Sequence, residues 1–67
     1  MTEAEKLKTL LEHWIEHNAA HQDEFGKWAE RARGAGLENV SLQISAAAQR
    51  ISESNECLRK ALSQISP

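Results

Sequence analysis

Three histidines, His13, His17 and His21, stand four residues apart, and they are all the histidines the chain has. On a helix, residues at that spacing are surface neighbours, so the three imidazoles form a ladder along one side. Imidazole is a ligand for Zn, Ni, Cu and Co, and two histidines at i and i+4 make a bidentate start. The ends of the ladder lie about 12 Å apart along the axis, too far for one ion with bonds near 2 Å. An ion would take His13 with His17, or His17 with His21. Further ligands would come from Glu16, Glu24, Glu53, Glu56 or a second copy of the chain. The chemistry this predicts is transition-metal binding or delivery, with Zn, Ni or Co as the cofactor. The His-Glu-x-x-His pattern of zinc proteases is missing, because Trp14, Ile15 and Glu16 fill the first gap.

A second reading of the same residues is a polar layer. On a helical wheel His21 falls near the centre of the apolar stripe, His17 at its edge and His13 on the wet side. His21, Asn18, Ser54 and Asn55 would then bond across two packed helices and fix their register, as a buried Asn does in coiled coils. A third reading is a pH switch, since protonating His17 or His21 inside a bundle would load charge into it.

The elements that must hold these residues are two amphipathic helices. Thr2 and Glu5 have the spacing of a capping box. Apolar or small residues then recur at Ala4, Leu7, Leu11, Trp14, Phe25, Trp28, Ala32 and Ala35, a heptad-like seam interrupted at Asn18 and His21. Gly34 and Gly36 end this helix, and Asn39 is the expected N-cap of the next. The second seam is Val40, Ile44, Ala47, Ile51, Leu58, Leu62 and Ile65, with Pro67 as the stop. The expected organisation is one all-α helical-hairpin domain over 1–67: helix 1 about 3–35, turn 36–38, helix 2 about 39–65. Folding about the turn brings Phe25 and Trp28 opposite Ala46, Ala47 and Ala48, large against small. The gap at Asn18 and His21 then meets the gap at Ser52, Ser54 and Asn55. Two interruptions in separate seams fall at one height, and that coincidence sets the register.

The chain has 67 residues, one cysteine, and eight Lys or Arg against ten Asp or Glu. A domain this short is marginal alone without disulfides or a metal, and the usual remaining support is a partner subunit. Leu10, Trp14, Ile15 and Trp28 would stay partly wet in a lone hairpin, which marks them as an interface. The expected assembly is a homodimer forming a four-helix bundle, with another protein as a further candidate partner. The charges are interspersed, so no basic face for nucleic acid is expected, and no apolar run suggests a membrane span. A single free thiol suits the cytoplasm. Cys57 falls on the flank of helix 2 without a clear activating neighbour, and no Ser-His-Asp order is recognisable, so catalysis is not expected. The functional expectation is a cytoplasmic, non-enzymatic interaction or scaffolding module without a resident cofactor, with metal binding as the alternative.

Overall fold

A computed structural model describes residues 1–65. They form two helices, α1 (Glu3–Gly34) and α2 (Glu38–Ile65), packed antiparallel as a hairpin with Cα extents of 51 × 15 × 13 Å. Pro67, read as the stop, lies outside the described residues.

The start of α1 follows from its first residues. The Thr2 backbone N–H donates to Glu5 Oε1 at 2.8 Å, and the Glu5 N–H donates to Thr2 Oγ1 at 3.1 Å. The backbone bond first, and the Thr2 side chain second, hold the Glu5 carboxyl below the ordinary carboxylate range. The end of α1 is a Schellman closure. The Leu37 N–H donates to the Ala32 carbonyl at 2.9 Å and the Gly36 N–H to the Arg33 carbonyl at 3.0 Å. That geometry needs a left-handed residue, and Gly36 supplies it at φ 82°. The chain re-enters a helix at once. The Leu37 carbonyl accepts from Ser41 N–H at 2.9 Å, so α2 begins at Glu38 and Asn39 lies inside its first turn rather than at the cap.

The residues of α1 turned toward α2 are Leu11, Ile15, Asn18, Gln22, Phe25, Ala29 and Ala32, all buried or half-buried. This is a heptad seam, but it is rotated from the expected one. The two share Leu11, Asn18, Phe25 and Ala32, and the structure uses Ile15, Gln22 and Ala29 where Trp14, His21 and Trp28 were expected. The reason is closeness of approach. Ser41 Oγ donates to the Ala29 carbonyl at 2.7 Å, and Asn55 Nδ2 donates to the Ile15 carbonyl at 3.0 Å. Side chains this short reach the opposite backbone only when the helices lie near one another, and an indole between them would hold them apart. The matching seam of α2 is Ser41, Ile44, Ala48, Ile51, Asn55, Leu58, Leu62 and Ile65.

Burial inside the hairpin is slight. Leu11 and Ala29 are the buried hydrophobic residues among those described. The surface of 5156 Å² is roughly 900 Å² more than the ~4,250 Å² usual for a globular monomer of this mass. No helix among the described residues is long and apolar enough to cross a membrane.

Candidate functional site

Rotation of the seam leaves a stripe of α1 uncovered beside it. Leu7, Leu10, Trp14, His17, His21 and Trp28 follow one another at three- and four-residue steps, with one longer step where Glu24 intervenes, so they share one side of the helix. All six are exposed. Trp14 retains 42 % of its surface and Trp28 51 %, although indoles carry the largest apolar area of any side chain.

At the loop end the stripe continues onto α2. Phe25 and Trp28 share an apolar hollow of about 680 Å³ with Val40, Ile44 and Ala47, with Glu24, Asn39 and Gln43 at its edge. On its other side Trp28 borders a smaller hollow of about 380 Å³ with Ala32, Leu37 and Val40. The Arg31 guanidinium lies 4.4 Å from the Trp28 ring centroid. This cation–π contact covers one face of the indole. The ring stands as an apolar ridge between two hollows.

At mid-length the polar layer takes a smaller form than expected. Asn18 Nδ2 donates to Asn55 Oδ1 at 3.0 Å, and Asn55 is 1 % exposed. With its second bond to Ile15 the Asn55 amide is well satisfied, and no buried side-chain polar atom among the described residues lacks a partner. Two members of the expected layer lie elsewhere. His21 is exposed because the seam passes through Gln22 instead, and Ser54 is exposed because Asn55 takes the seam position beside it.

The histidines stay together as a ladder on the open side. His17 and His21 bring their Nε2 atoms to 3.0 Å, with ring centroids 4.5 Å apart and planes at 75°. His13 stacks on His17 with centroids 6.2 Å apart. His21 also tilts against Phe25 at 6.0 Å. No group of three or more His, Cys, Asp or Glu among the described residues of one chain is placed to hold a metal ion. Of the expected outer interface, Leu10, Trp14 and Trp28 lie on the open stripe, whereas Ile15 is half-buried against α2. Cys57 is free and exposed.

One contact escaped the sequence reading. Ser41 is 7 % exposed and holds the loop end of the hairpin through the Ala29 carbonyl. The available signal was the small Ala29 at heptad spacing from Gln22, which admits a close neighbour where Trp28 does not.

Residues 7–65 match the family described as Domain of unknown function (DUF8180). An uncharacterized protein of Archaeoglobus fulgidus is 33 % identical over 61 residues, covering 91 % of this chain and 97 % of that protein. No solved structure matches the chain.

Proposed function

The chain belongs to the family described as Domain of unknown function (DUF8180), and we propose that it is a non-enzymatic interaction module that works as a homodimer. Two hairpins stack their open stripes face to face and make a four-helix bundle. The observation that carries this reading is the exposed stripe of Leu7, Leu10, Trp14 and Trp28 in a hairpin with so little core. The roughly 900 Å² of surplus surface is close to the ~800 Å² each partner contributes to a standard interface. Trp28, a large exposed indole between two hollows, suits the role of an anchor that enters a facing hollow.

The non-enzymatic reading is supported by the chemistry of the larger hollow, whose walls are Phe25, Trp28, Val40, Ile44 and Ala47. Apolar walls exclude water but do not transfer protons or attack a substrate. The free, exposed thiol of Cys57 suits a reducing compartment such as the cytoplasm. A second reading, metal binding or delivery, is favoured by the 3.0 Å approach of His17 and His21.

Isotope-filtered NMR on a mixture of labelled and unlabelled chains tests the dimer. Intermolecular contacts from the Trp28 indole to apolar side chains of the other copy are expected. Intramolecular contacts alone, at concentrations of hundreds of micromolar, would refute the face-to-face bundle.

A further inference from the structure

We propose that His17 and His21 are half of a transition-metal site that a second copy of the chain completes, with four imidazoles from two chains around one divalent ion. The proposal rests on the face-to-face dimer reading.

The geometry begins with the Nε2–Nε2 separation of 3.0 Å. At metal–nitrogen bonds of about 2.0–2.1 Å, two nitrogens so spaced subtend roughly 90–97° at an ion. That lies between the right angle of square-planar or octahedral sites and the wider tetrahedral angle, so Ni, Cu, Co or Zn is accommodated by small side-chain rotations. In the metal-free chain the same separation is a hydrogen bond, with one Nε2 carrying a proton and the other accepting it. Binding needs both lone pairs. Any proton on either Nε2 must leave that atom, and in a neutral ring it moves to the Nδ1 of the same imidazole. His13 belongs to the ladder but not to the chelate, because its ring stacks on His17 rather than converging with it.

One chain offers only these two donors, since no third His, Cys, Asp or Glu among the described residues joins them. Their position supplies the rest. His17 and His21 straddle the midpoint of α1, which runs from Glu3 to Gly34. A twofold stacking that covers the stripe along its whole length has its axis in the plane of contact. Whether that axis runs along the helices or across them, the midpoint of α1 in one copy comes level with the midpoint in the other. The two histidine pairs therefore arrive at one height. Trp14 and Trp28 stand seven residues to either side of His21 and close the site above and below with apolar surface. Exclusion of water strengthens metal–ligand electrostatics. The neighbouring charge is compatible with a cation: Glu24 lies on this side, and the Arg31 guanidinium is engaged on Trp28.

Titration of EDTA-stripped protein with Ni(II) and Zn(II), followed by calorimetry, with mass measured by light scattering before and after, tests the site. The expected result is one ion for two chains. His17→Ala and His21→Ala should each abolish that stoichiometry, while His13→Ala should retain it. Both chelating residues are exposed, so these variants should keep the helical circular dichroism of the parent, and His17→Gln serves as a second, helix-compatible control.

Mass in EDTA reads the dimer separately from the metal. A dimer that binds no ion, or that binds one ion per chain, overturns the site and leaves the dimer standing. So does binding that survives both alanine variants. A monomer in EDTA that becomes a dimer at half an equivalent of metal supports the site and shows that pairing requires the ion. A chain that is monomeric with and without metal overturns both.

Discussion

The two adjoining sides of α1 are built in opposite senses. The side against α2 intersperses Leu11, Ile15 and Phe25 with Asn18, Gln22, Ala29 and Ala32, small or polar groups that let two backbones approach. The side left open carries Leu7 and Leu10 together with both indoles, Trp14 and Trp28, the widest side chains of the helix. A chain that folded only to bury its own apolar surface would turn the indoles inward. Here the close seam fixes pairing and register through Asn55 and Ser41, and the indoles remain exposed. Pairing within the hairpin and exposure of the indoles thus fall on different faces of one helix, and substitutions on the two faces should have separable consequences.

The largest effect is expected on the open face. Trp28→Glu places a carboxylate in the proposed contact and removes its anchor. It should weaken self-association by about 2 kcal/mol or more, roughly thirtyfold, read as a shift in the monomer–dimer equilibrium by sedimentation. Its helical circular dichroism should be unchanged, because Trp28 is not part of the seam. On the closed face Asn55→Ala leaves the Asn18 amide unpaired at the centre of the seam. A loss of about 1–3 kcal/mol is expected, measured as a lower urea midpoint. Replacing Asn18 and Asn55 together by leucine should recover stability while loosening register, visible as broadened or doubled amide resonances.

Two substitutions on neither face sharpen the contrast. A Cβ added at Gly26 meets nothing within 4 Å, so Gly26→Ala should raise stability by about 1 kcal/mol without altering association. Thr2→Ala removes the hydroxyl half of the capping box and should cost about 1 kcal/mol in thermal unfolding. The Glu5 share of that cap has a definite pH dependence. Its carboxyl is held below its ordinary range in the folded chain, so its contribution is complete above that range and is lost as pH falls through it. The difference between Glu5→Ala and the parent should therefore shrink on acidification.

Much of the hairpin was legible in local chemistry. Thr2 and Glu5 marked the start of α1, the glycines marked its end, and two interrupted seams marked the height at which Asn18 and Asn55 bond. The rotation of the seam was not legible. Heptads through Trp14, His21 and Trp28 and through Ile15, Gln22 and Ala29 share Leu11, Asn18, Phe25 and Ala32. Apolarity alone favours the tryptophans. The choice depends on how closely the helices approach, and that is set by Ser41 and Asn55 on the other helix through carbonyls that carry no sequence signature. The same rotation moved His21 from the expected core to the open face, where its neighbour His17 comes within 3.0 Å.

Sedimentation equilibrium across a dilution series from hundreds of micromolar to about one micromolar, in EDTA, addresses the central claim that the open stripe is a self-association surface. Twice the chain mass of 7.5 kDa is expected at the upper concentrations, falling toward the chain mass on dilution and more readily for Trp28→Glu. A parent protein that holds the single-chain mass at every concentration, in EDTA and again with half an equivalent of Ni(II) or Zn(II), with Trp28→Glu indistinguishable from it, would contradict the account.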